Sequence, residues 1–206
     1  MKFSRIGRRS VLAAGLLCGG RAFGQAQAGS APKPRVSVQT GKGTIVLELA
    51  EDKAPITAGN FLRYVDSGRY DGSTFYRASR AGGTGVTGLI EGGLQNDPQK
   101  LLAPIAHEST QVTGLRHIDG TVSMARDAVG SATADFFICV GPSAYLDADP
   151  SRPGDNAGYA AFGQVVEGMD VVRAILASPT GGVARNPVMQ GQILDPPIPI
   201  VSMKRA

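Results

Sequence analysis

Tryptophan is absent from this chain of 206 residues, and histidine and cysteine occur only twice each. Each scarcity closes off some chemistry. His107 and His117 have no ligand spacing around them, so no metal site is expected. The serines include no Gly-x-Ser-x-Gly elbow, which removes the usual support for a Ser-His-Asp hydrolase. No paired carboxylates stand out for glycoside or phosphoryl chemistry. The glycines of residues 82–93 lack a following Gly-Lys-Ser/Thr, so a phosphate cradle is not expected either. Charged residues make up only 18 % and hydrophobic ones 42 %, the balance of an ordinary globular domain.

Acidic residues are missing from the first 28 positions, which hold Lys2, Arg5, Arg8, Arg9 and Arg21. The net charge of +4 is therefore concentrated there, and residues 29–206 carry −1. A domain so close to neutral gives nucleic acid no electrostatic footprint. The basic start is followed by an apolar run, Val11–Leu17, too short to span a bilayer, and then by the small-x-small site Ala26-Gln27-Ala28. Residues 1–28 are thus expected to be an export signal, with Gly29 the mature N-terminus and the periplasm or exterior the destination. Arg8-Arg9-Ser10-Val11-Leu12 fits the twin-arginine route; general secretion is the alternative. Cys18 follows Leu17 rather than a small residue, so no lipid anchor is expected. Cleavage would leave Cys139 without a disulfide partner, a small core residue between Ile138 and Val140.

A loose linker over 29–35 precedes the domain, 36–206. Val36–Gln39 and Thr44–Leu49 flank Gly41-Lys42-Gly43 as a hairpin. Pro55 suits the first turn of a helix whose stripe is Ile56, Phe61, Tyr64 and Val65, with Gly68 as its stop. Thr74–Arg77 reads as a strand, and residues 79–93 as a flexible glycine-rich loop. Further strands are expected at Gly120–Met124, Asp135–Val140 and Ala160–Val166, with a long loop over Pro142–Gly158. Val171, Val172, Ile175 and Leu176 mark a second helix, and Ile198–Lys204 a closing strand. Short strands without βαβ alternation predict an antiparallel sheet or barrel.

Two apolar aromatic runs, Phe75-Tyr76-Arg77 and Phe136–Val140, read as buried strands. The first delivers one arginine from an apolar setting. A guanidinium keeps its charge and needs hydrogen-bond acceptors, whether from a structural Asp or Glu or from a ligand. An apolar surface with one such cation suits binding a peptide and changing its conformation.

Several ordered motifs resemble the bacterial cyclophilins, which are peptidyl-prolyl cis-trans isomerases. They are Ala54–Phe61, Tyr70–Arg77, Gly120–Arg126, Asp135–Ile138, Tyr145–Asp147, Gly158–Gly163 and Gly168–Val172. The resemblance spans Val36 to Lys204. It implies a closed eight-stranded antiparallel β-barrel capped by two α-helices, with substrate on its outer face. It implies that Arg77 acts on the prolyl amide, that Phe137, Leu146 and Tyr159 shape the proline pocket, and that Tyr145 touches substrate. Ala125 and Arg126 would follow the peptide backbone, while Met124 belongs to the core. No cofactor is implied. The implied partners are proline-containing peptides and unfolded or exported proteins, bound by a monomer.

Three departures from the family bear on activity. Glu91 and Asp135 stand where glutamines are usual, each replacing a donor-and-acceptor amide by an acceptor-only carboxylate. Either could tie up Arg77 or favour peptides with a basic flanking residue. The segment between Arg77 and Glu91 is also long, and it lacks the usual aromatic and thioether residues. Leu89 is the candidate replacement there. Two readings stay open: an active folding helper, or a cyclophilin-like module that binds proline-containing peptides with little turnover.

Overall fold

The β1 strand (Arg35–Thr40) and β2 (Gly43–Leu49) form the expected hairpin, with Val36, Val38, Ile45, Leu47 and Leu49 all turned into the core. The computed structural model describes residue 1, residues 32–81 and residues 85–206. The expected export signal, apart from Met1, and its expected cleavage site lie outside the described residues, as do Gly82, Gly83 and Thr84. Pro32–Ala206 form one compact unit. The expected linker ends sooner than 35, because Arg35 already belongs to β1 and pairs with Glu48 at 2.9 Å.

Six further strands complete the sheet: β3 (Thr74–Ala81), β4 (Thr87–Gly93), β5 (Thr121–Met124), β6 (Phe136–Val140), β7 (Ala160–Glu167) and β8 (Ile193–Arg205). Every pairing is antiparallel, and the order β1-β2-β7-β5-β6-β4-β3-β8 closes on itself as a barrel. Closure leaves no free sheet edge. The expectation of a loop over 79–93 is corrected: β3 runs on to Ala81, and β4 occupies Thr87–Gly93. Glycine content hid that strand. Gly92 is there because β3 passes too close for a side chain; a Cβ would lie 2.7 Å from the Phe75 ring.

Helices α1 (Pro55–Asp66) and α3 (Met169–Leu176) are the two expected ones, and a single turn, α2 (Thr110–Thr113), is additional. Phe61 of α1 is fully buried, its ring centroid 5.1–5.3 Å from those of Tyr70, Phe136 and Phe162. Such tilted and edge-on aromatic contacts add to the area they bury. The start of α1 has no cap from its own residue Ala54. Glu108 supplies one from fifty residues away, accepting from Ile56 N, Thr57 N and Thr57 Oγ1 at 3.1, 2.7 and 2.6 Å. A carboxylate on these otherwise orphan donors also meets the positive end of the helix. Glu108→Ala is expected to lower stability by about 1–2 kcal/mol in denaturant melts.

The strand β6 explains why Phe136–Val140 reads as one unbroken apolar run. Phe136, Ile138 and Val140 point into the barrel core, whereas Phe137 and Cys139 join Leu89 and Leu146 in a second cluster outside it. Both faces are covered, so alternation is lost. Met124 lies in the inner core and Cys139 in the outer cluster, where burial pushes the thiol up to about 12.

Candidate active site

Strand register brings the site together in one row. Arg77 on β3 lies opposite Glu91 on β4, Glu91 opposite Phe137 on β6, and Phe137 opposite Ser123 on β5. The two aromatic runs are therefore neighbours but one, and the strand missed from sequence is what lies between them.

Arg77 reaches this face through a bulge. Phe75 pairs with Gly92 and Arg77 with Glu91, leaving Tyr76 as an extra residue. The partner on the other side breaks at the same point, with Phe75 opposite Ile198 and Arg77 opposite Ile193. Strict alternation from Phe75 would drive Arg77 into the barrel core. The bulge turns Tyr76 and Arg77 both outward and returns Ala78 to the core.

Three protein groups meet around the guanidinium. Arg77 Nη1 donates to Glu91 Oε2 at 2.6 Å, and Nε donates to Gln192 Oε1 at 2.8 Å. Tyr76 OH donates to the other Glu91 oxygen at 2.9 Å. Burial first, then the neighbouring Glu91 charge, raises the Tyr76 phenol far above its ordinary value, so it remains a donor. Both Glu91 oxygens are thus engaged. Arg77 Nη2 has no partner among the described residues, and the side chain keeps 18 % of its surface open.

Beside Arg77 lies a cavity of about 280 Å³. Phe137, Leu89, Leu146 and Tyr159 supply its apolar wall, with Ala125 at its edge and Tyr145 on an exposed rim. Phe137 and Tyr159 meet edge-on at 5.4 Å. Tyr159 is set by the approach of its loop to the Leu146 turn: Tyr159 N donates to Leu146 O at 2.9 Å. Gly158, at φ +65°, permits that approach, since a Cβ there would overlap Ala148 N and the Leu146 carbonyl.

Arg126, expected to follow the peptide backbone, borders the cavity with its guanidinium engaged by protein groups. Its guanidinium binds Asp155 at 2.6 and 3.0 Å, the Gly158 carbonyl at 2.6 Å, and lies 5.2 Å from the Tyr159 ring centroid. It borders the cavity as a brace for Tyr159. Asp155 makes this contact from a loop distant in sequence, and no local signal places it beside Arg126.

Asp135 is the one expected site residue outside this cavity. It borders an adjoining cavity of about 370 Å³, together with Tyr76, Glu91 and Thr133. Asp135 Oδ1 accepts from Gln95 N at 2.9 Å, so its carboxylate orders the turn after β4 and forms no ion pair with Arg77. Burial above all, with the Glu91 charge adding to it, pushes the Asp135 carboxyl up to about 6, against the pull of the backbone N–H groups. With its folded value above its unfolded one, Asp135 contributes stability that is full below about pH 4 and lost as pH rises through about 6. Denaturant melts across pH 4–7 should show this component, at most about 3 kcal/mol, and Asp135→Asn should remove it.

Besides Gln192, two groups at the site carry no signal in the sequence that places them there. Met189, in the turn Pro187–Met189, borders both cavities and brings a thioether from the far end of the chain. Asn186-Pro187 is a recognisable turn signal, but nothing local says what the turn approaches. The second group is a buried Ser-His-Asp chain. His117 contacts Asp147 Oδ1 at 2.7 Å through Nδ1 and Ser123 Oγ at 2.9 Å through Nε2. Ser123 and His117 are sealed from solvent, so this is no hydrolytic triad. Instead the imidazole stacks on Phe137 at 6.0 Å, supporting the cavity wall from behind. Burial lowers the His117 pKa, only partly offset by Asp147, which keeps the ring neutral. Among the described residues, no group of three or more His, Cys, Asp or Glu is arranged to hold a metal ion.

A family model described as cyclophilin type peptidyl-prolyl cis-trans isomerase matches residues 35–204. A peptidyl-prolyl cis-trans isomerase of Streptomyces antibioticus is 45 % identical over 150 residues, covering 71 % of this chain and 85 % of the relative. Peptidyl-prolyl cis-trans isomerase B of Escherichia coli is 39 % identical over 151 residues, 71 % of this chain and 86 % of its own length. Among solved structures, a cyclophilin type isomerase of Cryptosporidium parvum, crystallised in the presence of the dipeptide Ala-Pro, superposes with a TM-score of 0.65 at 20 % identity. That alignment covers 84 % of this chain and 98 % of the other, and shows the shared fold.

Proposed function

Because this chain belongs to the cyclophilin-type peptidyl-prolyl cis-trans isomerase family, we propose that Arg77 carries the reaction and that the 280 Å³ cavity seats the proline ring. Rotation about an X–Pro bond is opposed by amide resonance, a barrier of about 18–20 kcal/mol. As the bond twists, resonance is lost and the prolyl nitrogen becomes a better hydrogen-bond acceptor. A donor beside that nitrogen therefore binds the twisted state more tightly than either planar isomer. Neither a nucleophile nor a cofactor is needed. The observation that supports this reading best is Nη2 of Arg77, held at the edge of an apolar cavity with no protein acceptor among the described residues.

A second reading has its own observation. The short Arg77–Glu91 contact could hold the guanidinium back and leave a module that binds proline-containing peptides with little turnover. Nη1 alone is spent on Glu91, however, and this favours the enzyme.

The biological role proposed is that of a monomeric folding helper for unfolded or exported proteins in the cell envelope. The basic start, short apolar run and Ala26-Gln27-Ala28 site support export to the periplasm. Two experiments test the role. Refolding of a denatured protein limited by proline isomerisation should speed up with added protein; an unchanged slow phase would argue for the binding module. In bacteria expressing the full chain, the periplasmic form should begin at Gly29. Changing Arg8 and Arg9 to lysine should trap the precursor if the twin-arginine route is used. Retention of an uncleaved chain in the cytoplasm would contradict export.

A further inference from the structure

The segment between α3 and β8 packs beside the site. It is folded back on Arg77 at one point, Gln192. The Gln192 carbonyl accepts from Ala78 N at 2.8 Å, its N–H donates to Met189 O at 3.0 Å, and its side-chain Oε1 accepts from Arg77 Nε at 2.8 Å. The amide's other end is also used, Nε2 donating to Val188 O at 3.2 Å. This fixes the orientation of the amide: reversed, it would set two donors against each other at Arg77 and two acceptors against each other at Val188.

We propose that Gln192 is a positioning residue for the isomerisation, holding the Arg77 guanidinium from the Nε side so that Nη2 faces the proline cavity. The proposal rests on the reading of Arg77 above. The physical need follows from Glu91. A single carboxylate on Nη1 leaves the planar guanidinium free to swing about that contact and turn Nη2 toward the second Glu91 oxygen. A second acceptor at Nε removes that freedom, because two contacts on a rigid fork define its plane. Tyr76 reinforces the arrangement by occupying the remaining Glu91 oxygen at 2.9 Å. Gln192 can reach Nε because β8 is offset from β3 at the Tyr76 bulge. Opposite Phe75 stands Ile198 and opposite Arg77 stands Ile193, so the residue just before Ile193 lands beside Arg77. The extra residues lie on β8, where Leu194–Pro197 stand between the two pairings against Tyr76 alone on β3.

The test uses the full chain and two variants of similar length. Gln192→Met keeps the shape and removes the acceptor; Gln192→Glu keeps an oxygen for Nε. Isomerisation of a short Ala-Pro peptide should show kcat about tenfold lower in Gln192→Met with KM within about twofold, and at least half of that loss restored in Gln192→Glu. In ¹⁵N spectra the Arg77 Nε–H, identified by its loss in Arg77→Lys, should exchange with water faster in Gln192→Met than in the wild type. A kcat unchanged in Gln192→Met would overturn the proposal, as would equal losses in both variants or an unchanged Nε–H exchange rate. A wild type that binds the peptide but does not turn it over would refute the isomerase reading itself. In that case the Nε–H signal would still report whether Gln192 holds the guanidinium.

Discussion

Replacing Arg77 by alanine should lower kcat/KM for an Ala-Pro peptide by about 10²- to 10³-fold, the usual cost of removing one donor aimed at developing charge. Peptide affinity should change by less than about threefold, because the interaction is made in the twisted state rather than in the planar ones. Arg77→Lys should recover little. An ammonium is a point charge on a flexible stem and cannot meet Glu91, Gln192 and a substrate nitrogen in one plane. Removing Arg77 also leaves Glu91 buried with only Tyr76 as a partner, so circular dichroism must accompany the kinetics. A variant with native melting and undiminished turnover would refute the role given to Arg77 while leaving the family assignment intact.

Phe137→Ala should act on binding instead. The ring is 3 % exposed and is held among Leu89, Leu146, Tyr159 and His117, so truncation opens the cavity wall on the side away from Arg77. Peptide dissociation constants should rise at least about tenfold, the loss of roughly a kcal/mol or two of apolar contact. Stability should fall by about 3 kcal/mol, the lower end for a buried phenylalanine, since an outer cavity can partly collapse or fill. Phe137→Leu should keep most of both. The two predictions separate the roles: Arg77→Ala leaves affinity and lowers rate, while Phe137→Ala lowers affinity. Equal effects on both quantities in both variants would mean that the row across β3, β4 and β6 is only scaffold.

Much of this arrangement was legible before the structure. The hairpin, both longer helices and the strand Phe136–Val140 follow from turn glycines, Pro55 and apolar patterning, because each is decided locally. The strand Thr87–Gly93 was not legible. Its glycines answer to Phe75 and Asp135 packed against them, which are distant in sequence, and they weaken every local strand signal. The bulge at Tyr76 leaves no trace in composition, although it decides which way Arg77 points. Gln192, Met189 and the His117–Asp147–Ser123 chain were invisible for the same reason: each reaches the site through a long-range contact. Resemblance pointed to Arg77, Phe137 and Leu146, which line one cavity in the structure, yet could not say that Asp135 turns away to the loop over Gln95.

The departures in sequence also acquire different weights. Glu91 is a true neighbour of Arg77, bound on one terminal nitrogen and on Tyr76. Asp135 is a buried carboxyl whose task is the following turn. Restoring glutamine at position 91 is therefore the substitution that can change turnover, whereas at position 135 it chiefly changes the dependence of stability on pH.

Exchange NMR on a short Ala-Pro peptide at equilibrium, with and without catalytic amounts of the protein, is the most direct measurement of all. Exchange between cis and trans proline signals is expected on a sub-second timescale, against tens to hundreds of seconds unaided, and should disappear with Arg77→Ala. Peptide signals that broaden on binding but show no accelerated exchange would contradict that expectation, and would make this chain a recognition module in which Glu91 holds Arg77 away from its substrate.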